Sequence, residues 1–252
     1  MGRRLPWTLL GITSLFVLWE LASRLYGASF ILPAPVPVLA NLASLMWSRA
    51  FLLALGNTFL RVMLGIAVAL PVAVALGLAA GLDGRIEAFL RPLFSVVAAT
   101  PVISVILIAF LLLGSGGTPV FTACLMVFPV MAANALEGVR CVDPKLKELF
   151  SAFGLDRRAR IRFLYLPSLM PFIVGGIRSS LSLCWKVVVA AEVLVQPLAG
   201  LGTGMQMARA HLRSPELFAW TFATILAAAF SQILLTRALA LFGGRSGRKR
   251  FA

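Results

Sequence analysis

Long apolar blocks, each enough for a membrane crossing, dominate this chain and leave few folds open to it. A spanning helix needs about 20 predominantly apolar residues at a rise of about 1.5 Å each. Six blocks meet that length: residues 5–26, 55–81, 87–114, 118–137, 168–195 and 216–242. Backbone amides in hydrocarbon must find partners within their own segment, and no barrel-like alternation of short segments is present, so the blocks are expected to be helices. Gly65, Pro71 and Gly77 in the second block, Pro101 in the third and Pro129 in the fourth suit close packing or kinks rather than termination. The expectation is an all-α polytopic membrane protein with six transmembrane helices, forming one domain over residues 1–252.

Composition agrees with that class. The chain is 60% hydrophobic and 13% charged, with a mean hydropathy of +0.97; a soluble domain is typically about 45–50% apolar and about 25% charged. The formal net charge of +14 raises the question of nucleic acid. However, the basic residues gather at the ends of apolar blocks, as expected where Lys and Arg are retained in the cytoplasm. With the N-terminus inside, the cytoplasmic segments carry Arg3 and Arg4; Arg85 and Arg91; Arg140, Lys145, Lys147, Arg157, Arg158, Arg160 and Arg162; and Arg245, Arg248, Lys249 and Arg250. The other side holds Arg24, Arg49, Arg209 and Arg213. Both termini are therefore expected in the cytoplasm. Arg3 and Arg4 ahead of an apolar run also fit a secretory signal, but Trp19 and Glu20 interrupt the region before any small-residue cleavage site, and an uncleaved anchor is expected.

Chemistry of its own is not expected of the chain. Cys124, Cys141 and Cys184 share no metal-ligand spacing, and His211 is the one histidine, so neither a metal site nor a catalytic constellation is expected. Residues 30–49 hold Pro33, Pro35 and Pro37, which suggest an extended turn, followed from Val38 to Trp47 by a short helix at the outer interface. The Gly200-x-Gly202-x-Gly204 run follows no strand and reads as a flexible outer turn rather than a nucleotide loop. Glu20 and Arg24 are one turn apart and are expected to pair.

Residues 148–167, ELFSAFGLDRRARIRFLYLP, form the long charged, helix-compatible segment between the fourth and fifth blocks. Just before it, Asp143 is a fitting N-cap and Pro144 a fitting first helical residue. Leu146, Leu149, Phe150 and Phe153 then fall at i, i+3, i+4 and i+7 as one apolar stripe, and Gly154 is a natural stop. Such a face needs a cover: a partner's groove, the membrane surface or the protein's own helix ends.

The spacing of Glu148, Gly154, Leu164 and Leu166-Pro167 resembles the cytoplasmic EAA loop of permease subunits in ABC-type importers, with Leu149 and Phe150 where that pattern prefers two alanines. The likeness extends to residues 134–154, to Ala190-Ala191-Glu192 before Gly200-Leu201-Gly202, to Thr58, Arg61 and Gly65, and to the LP-x-P turn, all similar to the nitrate/sulfonate/taurine group. It implies a type I importer (MetI-like) architecture in a bacterial inner membrane and a coupling loop over residues 138–167. Leu146, Glu148, Leu149, Phe150, Phe153, Gly154, Leu166 and Pro167 would then couple the chain to an ATPase. It further implies a homodimer, two copies of the ATPase holding ATP and Mg, and an external or lipid-anchored solute-binding protein. No cofactor is expected in this chain, no nucleic acid is expected as partner, and lipid surrounds it.

Charges within the fifth block are the pore candidates, since each is costly in hydrocarbon. Arg178 and Lys186, eight residues apart, share a broad face; Glu192 points elsewhere. Lys186 in a pore would favour an anion such as nitrate, a sulfonate or taurine; the other reading is that Arg178 and Lys186 snorkel or pair with other spans. The same machinery carrying a vitamin or pyrimidine precursor such as riboflavin is the alternative. An ion-coupled secondary transporter would need an internal repeat of spans that is not evident, and a membrane enzyme would need a constellation that is missing.

Overall fold

The computed structural model describes residues 5–247, with side chains for residues 7–238. The expected basic ends at Arg3, Arg4, Arg248, Lys249 and Arg250 lie outside the described residues. Among the described residues ten α-helices follow one another: α1 (Leu5–Tyr26), α2 (Pro35–Met46), α3 (Arg49–Leu82), α4 (Gly84–Ala99), α5 (Val102–Arg140), α6 (Pro144–Ala152), α7 (Arg157–Arg160), α8 (Leu166–Val195), α9 (Leu201–Ala210) and α10 (Ser214–Gly247). A π-turn over Ile161–Tyr165 joins α7 to α8. Contacts divide the described residues into two compact units, one over residues 5–58 and 196–227, the other over residues 59–195 and 228–247.

Among the described residues, five helical segments are long and apolar enough to cross a membrane alone, one fewer than the sequence blocks, and the difference has a local cause. The third block is not one helix. Thr100 and Pro101 break it with extended backbone, and its second half runs on into the fourth block as α5. A straight helix of 39 residues would be about 58 Å long, nearly twice the hydrocarbon core. Instead Gly114, at φ 65° and ψ −174°, interrupts α5, a conformation that glycine reaches without a Cβ penalty. Glu87 of α4 meets Arg140 at the end of α5, and Phe94 meets Phe128, so α4 runs antiparallel to the second half of α5. Val102 and Ile106 then pack on Ala191 and Val195. Together α4 and the start of α5 therefore lead from the Arg140 end of α5 to the Val195 end of α8.

The larger unit is held by close helix approaches. A Cβ on Gly65 would meet that of Ala123 at 2.9 Å, one on Gly77 would meet the Ala132 carbonyl oxygen at 2.5 Å, and one on Gly81 would meet Val139 at 2.5 Å. With no hydrophobic drive between helices in lipid, such small-residue contacts let dispersion hold α3 to α5. Ala135, Val139 and Leu169 continue the core between α5 and α8.

In the smaller unit, Trp19 stacks on Phe218 and Phe222 and donates to the Pro33 carbonyl at 3.0 Å. Two loop expectations change here. Instead of an extended turn through Pro37, α2 begins at Pro35, with Ala34 as its N-cap. Both Pro35 and Pro37 occupy the first turn, where a missing N–H costs nothing. Gly202 and Gly204 lie within α9 rather than in a flexible turn. A Cβ on Gly204 would meet the Trp220 ring at 2.5 Å, so glycine there serves packing. Glu20 and Arg24 pair as expected, at 2.6 Å.

Candidate functional site

Residues 140–167 leave α5 and enter α8 through a sequence that builds its own stops and starts. The Asp143 carboxylate accepts from the Lys145 N–H at 2.9 Å, satisfying one of the free donors at the N-terminus of α6. Pro144 takes the first helical position. At the other end the Gly154 N–H donates to the Ser151 carbonyl at 3.0 Å and the Leu155 N–H to the Phe150 carbonyl at 3.3 Å. That bond pair is a Schellman cap, and it requires the left-handed φ of 64° that Gly154 adopts. Asp156 repeats the device, accepting from the Ala159 N–H at 2.9 Å to start α7.

No residue of α6 is buried. Leu146 and Leu149 are nearly half exposed and Phe153 is 73% exposed, with Phe150 partly covered. The expected stripe exists and lies uncovered. Glu148 is exposed beside it, and among the described residues it has no ion-pair partner. Next, the Leu166 N–H donates to the Ile161 carbonyl, a five-residue step. Pro167 has no N–H to give, so a widened turn there costs the helical ladder little. Leu164 is buried and anchors this turn, whereas Leu166 and Pro167 are exposed. The coupling loop is thus not a loop throughout: helix is continuous from Arg157 to Val195, eleven residues ahead of the expected start of the fifth span.

Within α8 the three pore candidates separate. Arg178 and Lys186 are exposed, together with Gly175, Ser179, Ser182 and Ala190, and these recur at three- and four-residue steps as one face. Lys186 sits about 14 Å short of the helix end at Val195, well inside an apolar span, and among the described residues it has no acidic partner. Glu192 is on the opposite, buried side. It is fully buried and accepts from Arg61 Nη1 of α3 at 2.6 Å. The pair joins α3 to α8, and Glu192 does not face open space. The sequence flagged both residues of this pair but gave no sign that they meet, since 131 positions separate them. Among the described residues no group of His, Cys, Asp and Glu is arranged to hold a metal ion.

A polytopic helical chain with an unburied, doubly capped helix between two of its membrane segments has the plan of an ABC importer permease. The chain belongs to the family of binding-protein-dependent transport system inner membrane components, whose pattern matches residues 72–247. It is a multi-pass permease subunit of the bacterial inner membrane and not itself an enzyme. Among similar proteins is a taurine transport system permease of Escherichia coli, 29% identical over 255 residues, covering 94% of this chain and 92% of that one. A putative aliphatic sulfonates transport permease of Bacillus subtilis is 27% identical over 207 residues, covering 81% and 75%. A formylaminopyrimidine transport permease of Halalkalibacterium halodurans is 27% identical over 170 residues, covering 67% and 68%. The fold is shared with the inward-facing MetNI methionine ABC transporter, at a TM-score of 0.56 and 17% identity over 75% of this chain and 94% of that one.

Proposed function

We propose that this chain forms the translocation pore for a small anion, as a homodimer, and that α6 is the contact through which a separate ATPase drives it. The observation that carries the coupling assignment is the bare stripe of Leu146, Leu149 and Phe153. A short helix capped at both ends and buried nowhere has its shape fixed in advance for a receiving cleft. Glu148 supplies a polar contact at the edge of that cleft, and Gly154 the sharp exit. Leu149 and Phe150, in place of alanines, call for a wide and apolar cleft in the cognate ATPase, the chain on which ATP and Mg are bound. Family membership sets aside the ion-coupled secondary transporter.

Orientation follows from the charge asymmetry, with α6 and both termini in the cytoplasm. Six traverses satisfy it: α1, α3, α4 with the start of α5, the rest of α5, α8 and α10. An anionic solute is supported by the exposed face of α8, where Arg178 and Lys186 stand among small residues, and by relatives named for taurine and aliphatic sulfonates. The formylaminopyrimidine relative favours a vitamin precursor as the second reading. A solute-binding protein on the outer side selects the solute in either case.

The test is a pull-down of the cognate ATPase with Leu149→Asp and Phe153→Asp together. The expected result is loss of the ATPase from a permease that still inserts and folds. Undiminished association would sink the assignment. Cys141, exposed at the end of α5, reports the orientation independently: an impermeant maleimide should reach it from the cytoplasmic side.

A further inference from the structure

A cavity of about 630 Å³ opens between α4 and the second half of α5, with Ala80 of α3 also lining it. It belongs to neither the α6 knob nor the exposed face of α8. Its walls are apolar: Leu90, Phe94 and Ala98 line one side at helical spacing, and Pro129, Val130 and Ala133 the other. Its mouth is charged. Arg140 lies there, held by both oxygens of Glu87 at 2.7 Å, together with Arg91, for which no acidic partner exists among the described residues. Two guanidinium groups against one carboxylate leave the mouth net positive.

We infer that this groove binds an anionic phospholipid of the inner leaflet, its phosphate at Arg91 and Arg140 and an acyl chain along the apolar walls. The placement rests on the cytoplasmic orientation proposed above for the Arg140 end of α5. Length supports it: from Leu90 to Ala98 the groove runs about 12 Å, close to the roughly 15 Å depth of one leaflet's hydrocarbon. Chemistry favours lipid over transported solute. A small hydrophilic anion would satisfy the arginines but leave the apolar walls without use, and the Ser95 hydroxyl is already spent on the Arg91 carbonyl at 2.9 Å. A phospholipid matches both ends. Arginine at such a mouth adds affinity for anionic headgroups, about fivefold per residue.

The experiment uses the full chain purified with its ATPase in mild detergent, with retained phospholipid measured by native mass spectrometry after exchange into phosphatidylglycerol or phosphatidylcholine. Wild type should hold phosphatidylglycerol in preference. Arg91→Gln should weaken that retention about fivefold without changing phosphatidylcholine, and Ala133→Phe, which fills the groove, should lower both. Equal retention in wild type and both variants would overturn the assignment. So would efficient copy-to-copy cross-linking through Ala133→Cys, which would give the groove to a second permease. Maleimide labelling of Cys141 is run on the same preparations before solubilisation. Labelling from outside would refute the orientation, whereas unchanged lipid retention with labelling from inside would refute the groove alone.

Discussion

Removing one member of the Arg61–Glu192 pair should damage this protein far more than removing both. The carboxylate is completely buried, while the arginine side chain keeps 13% of its surface. Arg61→Met takes away the cation facing Glu192, and breaking a buried pair from one side costs about 3–5 kcal/mol. Glu192→Gln is gentler, because the amide oxygen still accepts from Arg61 and the guanidinium, unlike the carboxylate, is not completely buried. Its cost should be about 1–3 kcal/mol, the range for a compromised buried hydrogen bond. Replacing the pair by Arg61→Met with Glu192→Leu substitutes apolar groups for both charges, and such swaps are often neutral or stabilising. The singles should therefore be ordered with Arg61→Met worse than Glu192→Gln, and the double change should lie above Arg61→Met.

Thermal midpoints in detergent, read as the fraction remaining monodisperse after heating, can measure this. For a chain of this size about 1 kcal/mol corresponds to about 2–4 °C, so Arg61→Met should lower the midpoint by about 6–20 °C. The double variant should recover at least half of that loss. If the double change is as damaging as the sum of Arg61→Met and a separate Glu192→Leu variant, the two side chains are not energetically coupled and the brace between α3 and α8 is refuted.

Three further outcomes follow from the geometry. Gly154→Val places a β-branched residue at φ 64°, at a cost of about 1–2 kcal/mol, and should unwind the Schellman cap; solute uptake and ATPase association should both fall while the amount of inserted permease is unchanged. Lys186→Met should cut anion uptake at least tenfold with ATPase association intact, and unimpaired uptake would remove Lys186 from the pore. Gly77→Val sets a side chain into the Ala132 carbonyl, 2.5 Å from the Cβ position, so the yield of folded permease should collapse, whereas Gly56→Ala, with open space around it, should be tolerated.

The features legible in the sequence were those written in consecutive residues. Asp143-Pro144 and Gly154 specify where α6 begins and ends, and the i, i+3, i+4, i+7 spacing of Leu146, Leu149, Phe150 and Phe153 specifies its apolar side. The apolar blocks likewise specify helices, because hydrocarbon leaves the backbone little alternative. Errors arose where one residue has two possible uses. Pro35 and Pro37 break a helix interior but suit a first turn, and only the position of the N-cap decides between the two. Gly204 reads as freedom until Trp220, sixteen residues on, is seen lying against it. Thr100 and Pro101 lie inside one apolar block, and Pro101 suits a kink there, yet their extended backbone ends α4 and starts α5.

Features that depend on distant partners left no local trace. Glu192 reads as one more costly intramembrane charge, and its natural suspicion is a pore, because desolvation makes an unpaired carboxylate improbable anywhere else. What resolves it is Arg61, on the stretch of α3 where Gly65 lies against Cys184 of α8 and the Cys184 thiol donates to the Val62 carbonyl. The same helix contacts that bury Glu192 turn Arg178 and Lys186 to the outside of α8. These two cations cannot both rest in lipid without a polar neighbour. A second copy of α8 and a water-filled path between the copies would supply one, which is why the exposed face of a single chain argues for the homodimeric pore.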